Sequence, residues 1–136
     1  MPSRGEIYYS SKFQYLDGSF GEKLFIVLNN PKESEPYIVV RTTTTEPEHS
    51  FRELCNPELQ LFFIKKKPNG EVFKKDTFVQ LSETFPFTQY DFLSGHFDSS
   101  LQFIGCLSNL CLRQLLNCIY KIKEDVITQH FKLIFG

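Results

Sequence analysis

Short runs of β-branched and aromatic residues recur along most of the chain, and only one stretch near the C-terminus has helical periodicity. The run Lys23–Leu28 is continuous, apolar and brief, which is typical of a strand buried on both faces. Tyr37–Thr45 starts in the same way and ends in four threonines, which favours a strand with a polar end facing solvent or ligand. These patterns predict a domain built mainly from a sheet.

The other segments extend this pattern. Gly5–Ser10 is predicted as a first strand. Residues 11–22 are polar and carry the turn signal Asp17-Gly18, so they predict a loop too long for a tight hairpin. Further strands are predicted at Leu59–Lys65, Val72–Phe73, Thr77–Leu81 and Leu101–Gly105. The other intervening stretches are predicted as a loop at Glu46–Glu58, an Asn-Gly turn at Pro68–Glu71 and an irregular aromatic segment at Phe85–Asp98.

One helix is predicted from Asn109 to about Lys123, with Ser108 as its N-cap. Its apolar face is formed by Leu112, Leu115, Leu116, Ile119 and Ile122. Residues 124–136 fit either a last strand or a second helix. Five to seven short strands and one late helix predict a single α+β domain over residues 1–136, a small curved sheet or barrel with the helix packed on it.

Composition narrows the function classes. The 136 residues include 15 basic and 16 acidic ones, a net charge of −1, which argues against a general polyanion binder but allows a local basic patch. No signal-peptide core and no membrane-length apolar run are present, so we expect a cytoplasmic protein without membrane contact. Because no pair of its four cysteines has CxxC spacing, we expect free buried thiols in a reducing compartment, no metal site and no cofactor.

Several strings occur in a familiar order. Arg4-Gly5-Glu6-Ile7 precedes Lys23–Asn30, then Val39–Thr44, Asp76–Leu81, and finally Phe103–Ser108 leading into the helix. This order, from Arg4 to about Lys123, resembles the PemK/MazF-like toxin family of ribosome-independent mRNA endonucleases. The resemblance implies an SH3-like barrel, a homodimer with its active site beside the interface, and an antitoxin protein as partner.

The resemblance also implies the catalytic residues. The family's catalytic arginine opens the second strand as Arg-Pro, whereas Lys23-Leu24 stands there in this chain. Lysine carries the charge without the planar, bidentate fork of arginine. The catalytic role therefore falls to Lys23 or moves to Arg41. The family's threonine corresponds to Thr43, with Thr42 or Thr44 as register alternatives.

Cleavage of single-stranded RNA without a metal uses the ribose 2′-hydroxyl as nucleophile. It requires a base, a proton donor for the leaving oxygen and positive charge at the phosphate. Lys23 and Arg41 supply charge, and Thr43 supplies a hydrogen bond. His49 and His96 titrate near neutrality and are candidate acids or bases, with solvated loop residues as the simpler interpretation.

A basic hairpin is predicted to contact RNA phosphates through Lys65, Lys66, Lys67, Lys74 and Lys75. A lysine-protected sheet edge explains the same residues equally well. Tyr9 and Tyr15 flank the first loop and are candidates for stacking on bases.

Two other functions fit the sequence. One is a catalytically inactive member of the same fold that binds RNA or protein, favoured by Lys23-Leu24. The other is an unrelated interaction module that uses the aromatic segment Phe85–Phe97 as its contact surface.

Overall fold

The computed structural model describes residues 2–15, 17–67 and 72–136 and has an α+β fold. Three helices accompany eight strands in these ranges, and a C-terminal helix packs on the sheet, as predicted. The strands are β1 (Glu6–Gln14), β2 (Phe20–Val27), β3 (Tyr37–Thr43), β4 (Leu54–Asn56), β5 (Leu61–Ile64), β6 (Thr77–Gln80), β7 (Phe85–Phe87) and β8 (Leu101–Cys106). The helices are α1 (Gln89–Phe97), α2 (Asn109–Lys121) and α3 (Thr128–Phe135).

Every strand pair in the described ranges is antiparallel, in the order β4-β5-β6-β3-β2-β1-β8. β3 pairs with β2 along one edge, and its other edge is shared by β7 at Tyr37–Val39 and β6 at Thr42 and Thr43. Within the described residues, the outermost strands β4 and β8 do not pair with each other, so the sheet is open. The prediction of five to seven strands is lower than the observed eight, because β4 and β7 span only three residues each and are hard to recognise in the sequence.

Alternating side chains of β2 and β3 serve two cores. Ile26, Ile38 and Val40 pack with α2 and α3 in an aliphatic core on one face. Phe25, Val27 and Val39 belong to an aromatic core on the other face, together with Phe13, Tyr37, Phe85 and Phe92. This double burial explains why the Lys23–Leu28 run is continuously apolar, and it confirms the prediction of a strand buried on both faces.

The predicted loop at residues 11–22 is wrong in extent. β1 continues to Gln14, which pairs with Phe20, and the turn is closed by the bond from the Tyr15 amide to the Ser19 carbonyl at 2.8 Å. Gly18 has φ of 88°, a conformation that glycine adopts at low cost. A register shift between Ser10 and Phe13 breaks the two-residue alternation, which is why the polar residues there resembled a loop.

The segment predicted as irregular, Phe85–Asp98, forms β7 and α1. Thr88 and Asp91 form a capping box: the Asp91 amide donates to Thr88 Oγ1 at 3.0 Å and the Thr88 amide to Asp91 Oδ2 at 2.8 Å. Only Phe92 and Gly95 of this helix are buried, so no apolar stripe marks it in the sequence. The predicted loop at Glu46–Glu58 likewise contains β4 and part of a short 3₁₀ turn at Pro57–Leu59.

The C-terminal region follows the helical pattern. Ser108 Oγ accepts from the Cys111 amide at 3.1 Å and begins α2, close to the predicted bounds. Of the two alternatives predicted for residues 124–136, a strand or a helix, the structure has the helix, α3. Its Ile134 is buried against the aliphatic core. Val72–Phe73 is not a strand, and the predicted turn at Pro68–Glu71 lies outside the described residues.

The prediction of free thiols is wrong for two of the four cysteines. Cys55 of β4 and Cys118 of α2 form a disulfide with a Cα–Cα distance of 5.5 Å. Cys106 and Cys111 are free. The paired residues are 63 positions apart, a separation at which sequence alone gives no pairing.

Because the disulfide closes a long loop, its loss should lower the free energy of unfolding by about 2–4 kcal/mol. We expect this loss in urea unfolding of the Cys118→Ala variant. Cys106→Ser, which removes an exposed free thiol, is the matched control and should change little. Peptide mapping without reductant that recovers Cys55 and Cys118 as free thiols would contradict the pairing.

A hydrogen bond of 2.5 Å joins Thr84 Oγ1, on the connection between β6 and β7, to His130 Nδ1 on α3. Burial lowers the pKa of His130 below its usual value. As pH falls, the imidazole of His130 is therefore protonated in the unfolded chain at a higher pH than in the folded protein. The free energy of unfolding should fall as pH drops below about 6.5.

Urea unfolding between pH 7.5 and 5 measures this dependence. His130→Gln should flatten the decline, whereas His96→Gln, at an exposed histidine, should keep the wild-type slope. Equal slopes in the His130→Gln variant and the wild type would show that His130 does not carry the effect.

Candidate functional site

Three predicted catalytic residues lie on one face of the sheet, at the end of β3 and beside β2. Phe25 pairs with Arg41 across the two strands, so their side chains share a face. Strand alternation places Lys23 on the side of Phe25, and Thr43 on the side of Arg41. The register of the strands therefore places Lys23, Arg41 and Thr43 on the same face of the sheet.

Arg41 is held between two aromatic rings and one carboxylate. Its guanidinium carbon lies 5.3 Å from the Tyr15 ring centroid and 5.6 Å from that of Phe85. One terminal nitrogen is 3.6 Å from Glu83 Oε2, and the side chains of Arg41 and Glu83 are 18% and 35% exposed. Arg41 Nε is buried without a hydrogen-bond partner among the described residues. The guanidinium is thus largely withdrawn from water, with donor capacity left over.

Lys23 is the second cation at this site. Its Nζ donates to the Thr42 carbonyl oxygen at 3.2 Å. Burial, and after it the nearby charge of Arg41, lowers the pKa of Lys23. Among the described residues, Glu83 is the one carboxylate within ion-pair distance of these two cations, so an excess positive charge remains in partly dehydrated surroundings, which suits an anion.

The threonines divide between the two faces. Thr42 is buried and donates its hydroxyl to the Leu24 carbonyl at 3.1 Å, which fixes it in the fold. Thr43 Oγ1 accepts from the Thr45 amide at 3.1 Å and stays partly exposed on the Arg41 face. Thr43 is therefore the threonine of β3 that lies near the cations with a hydroxyl proton to donate.

The basic segment lies beyond β5 and before β6, and its lysines are exposed. The Lys66 amide donates to Asp76 Oδ1 at 2.9 Å, which joins the two arms. Lys75 lines a cleft with Thr44, so one arm is adjacent to the threonine end of β3. Lys65 and Lys67 line a different cleft, beside Cys106 and Cys111.

The two predicted tyrosines differ in position. Tyr15 packs on Arg41 and belongs to the site. Tyr9 pairs with Leu24, which packs against the aliphatic core, so Tyr9 lies on the opposite face of the sheet. Its hydroxyl donates to Glu22 Oε1 at 2.6 Å. The structure does not bring Tyr9 together with Lys23 and Arg41.

The two candidate histidines are exposed and belong to different elements of the fold. His49 belongs to the segment after β3. His96 lies on α1, where the sequence predicted a loop, and lines a cleft with Tyr8 and Phe103. Sequence reasoning missed Glu83 and Phe85, the other groups around Arg41. No local pattern marks either of them, since they reach Arg41 only through tertiary packing.

No model of a known protein family matches the chain, and no curated protein matches it significantly. The resemblance to PemK/MazF-like toxins therefore stays a prediction. Within residues 2–15, 17–67 and 72–136, no group of three or more His, Cys, Asp and Glu side chains is arranged to hold a metal ion. No helix in these ranges is long and apolar enough to cross a membrane.

Removal of the Arg41 side chain should destabilise the fold. Arg41→Ala loses two ring contacts and leaves Glu83 without its cation, which should cost about 2 kcal/mol in the free energy of unfolding. Arg52→Ala is the matched control, because Arg52 forms an exposed pair with Glu58 at 3.3 Å and should change stability by less than about 0.5 kcal/mol. If both variants lower the free energy of unfolding by the same amount, the packing around Arg41 does not stabilise the fold more than an exposed ion pair does.

Proposed function

We propose that this protein is a toxin-type endoribonuclease that cleaves single-stranded RNA without a catalytic metal ion. The observation that supports this function best is the placement of Lys23 and Arg41 side by side on the face that Thr43 shares. A desolvated cation pair with one partly exposed carboxylate is suited to a phosphate group that supplies the missing negative charge.

Each group has a role in this chemistry. Arg41 binds the non-bridging oxygens of the scissile phosphate and stabilises the charge that develops on them. The 2′-oxygen attacks phosphorus, its proton passes to solvent, and the bond to the 5′-oxygen breaks. Lys23, whose pKa is lowered, donates a proton to that leaving oxygen. Thr43 holds the phosphate through its hydroxyl.

Glu83 sets a condition on this mechanism. Its carboxylate lies 3.6 Å from Arg41, so an incoming phosphate has to share the guanidinium or displace Glu83. The Glu83 side chain is 35% exposed, so a displaced carboxylate is hydrated by solvent. Displacement is therefore inexpensive relative to the gain from a doubly hydrogen-bonded phosphate.

The partners belong to the same proposal. A second copy of the chain completes a homodimer, and an antitoxin protein neutralises it by occupying the RNA site. Cytoplasmic location also stays a prediction. The Cys55–Cys118 disulfide weighs against it, because structural disulfides are typical of oxidising compartments.

A binding module that does not cleave RNA is the second candidate. Both cations already have acceptors within the protein: Lys23 donates to a backbone carbonyl and Arg41 is paired with Glu83. Under this alternative, RNA or a protein binds near the site while Lys23 and Arg41 serve the fold.

Cleavage of unstructured RNA by the purified protein separates the candidates. Lys23→Ala, Arg41→Lys and Thr43→Ala should each lower the cleavage rate, by roughly 100-fold or more for the two cationic positions. Lys32→Ala removes an exposed lysine just beyond the other end of β2 and should retain full activity. The same variants should relieve the growth arrest that the wild type causes when it is expressed alone.

Circular dichroism controls for loss of fold in each variant. Wild-type-like cleavage by all three site variants would show that the site is elsewhere. Salt-dependent RNA binding without cleavage at any protein concentration would favour the binding module. Absence of any RNA affinity would leave the third option of the sequence, an interaction module using Phe85–Phe97.

A further inference from the structure

A groove of about 510 Å³ lies between the β1–β2 hairpin, β7 and α1. One side is aromatic, formed by Tyr15, Phe20, Phe85 and Phe87. Phe20 is 65% exposed, although it stands in a strand and pairs with Gln14. The groove thus contains an aromatic ring that the fold leaves uncovered.

The remaining polar lining includes two carboxylates, three serines and one lysine: Asp91, Asp98, Ser10, Ser94, Ser100 and Lys12. Asp98 Oδ1 accepts from the Ser100 amide at 2.8 Å, and its Oδ2 is 3.5 Å from Lys12 Nζ. Hydrogen bonding from the side chain and the backbone amide of Ser100 lowers the pKa of Asp98, and the charge of Lys12 adds a smaller effect. Each Asp98 oxygen thus has one partner already and can accept a further hydrogen bond, since a carboxylate has about four acceptor positions.

Two aromatic residues of the groove also contact Arg41. Tyr15 and Phe85 line the groove and are also the two rings that flank Arg41, with centroids 5.3 and 5.6 Å from the guanidinium carbon. Arg41 itself is not among the lining residues, but these two rings make the groove a neighbour of the Arg41 site. This continuity distinguishes the groove from the cleft at Pro2, Tyr8 and His96.

We propose that this groove is a nucleobase subsite for single-stranded RNA that prefers bases bearing an exocyclic amino group (adenine, cytosine or guanine) over uracil. The base stacks on Phe20, and its N–H donors face the carboxylates. Uracil has no amino group, and its one donor on the pairing edge, N3–H, lies between two carbonyl oxygens, which the carboxylates repel. This inference rests on the proposed RNA-binding function and adds its specificity.

The test uses six-nucleotide single strands with 2′-deoxyribose throughout, which lack the 2′-hydroxyl nucleophile. Each strand contains uracil at all positions, or uracil with one central adenine, cytosine or guanine. The wild type should bind at least one amino-bearing strand about tenfold more tightly than the all-uracil strand. Phe20→Ala should lower that affinity by about tenfold. Phe97→Ala, at an aromatic residue that is 77% exposed on α1 outside the groove, should bind as the wild type does.

Asp98→Asn tests the carboxylate separately. The amide oxygen of asparagine still accepts from the Ser100 amide, so the loop keeps its bond, while the charge is removed. We expect this variant to bind all-uracil strands as well as amino-bearing ones, to within about twofold. Retention of the full wild-type preference would overturn the role of Asp98.

Failure of this subsite is distinguishable from failure of the nuclease. RNA cleavage that depends on Arg41, with Phe20→Ala and Phe97→Ala equal in affinity and base preference, would overturn the subsite and leave the nuclease in place. A base preference lost in Phe20→Ala, without any RNA cleavage, would support the subsite and replace the nuclease with a binding module. Absence of binding to every strand at millimolar concentration would overturn the subsite.

Discussion

Burial of β3 on both faces is the constraint on which the rest of the molecule depends. Its apolar part, Tyr37–Val40, contributes to the aromatic core on one side and the aliphatic core on the other. Such a strand is stable only with partners on both edges, since its backbone groups are far from water. β2 supplies one edge, and β7 and β6 divide the other. The point where β7 gives way to β6 is where the side chains of Arg41 and Thr43 leave the core.

The electrostatics at that point are unusual for a structural element. A fold gains nothing from placing Lys23 beside Arg41, because burial and like charge together lower the pKa of the lysine. The rings of Tyr15 and Phe85 and the carboxylate of Glu83 offset part of that cost. They leave a buried Arg41 Nε without a partner among the described residues and an excess of positive charge.

The sequence predicts those elements whose pattern is local. The double-sided strands β2 and β3 and the amphipathic helix α2 follow directly from apolar runs and helical spacing. The register shift in β1 hides four strand residues, and α1 has no apolar stripe to reveal it. At the candidate site, strand alternation puts Arg41 and Thr43 on one face, whereas the position of Lys23 on that face depends on the register between β2 and β3. Glu83 and the Cys55–Cys118 disulfide depend on distant packing, which no single-sequence pattern encodes.

The connection between β6 and β7 links the site to the C-terminal helix. Glu83 reaches Arg41, and the next residue, Thr84, is hydrogen-bonded to His130 of α3. These two neighbouring residues therefore contact both the site and the helix. Since Thr84 is buried and fixed by α3, Glu83 has little freedom to leave Arg41 by backbone movement. Any displacement of this carboxylate by a phosphate must therefore occur through rotation of the Glu83 side chain, which is partly exposed and free to turn toward solvent.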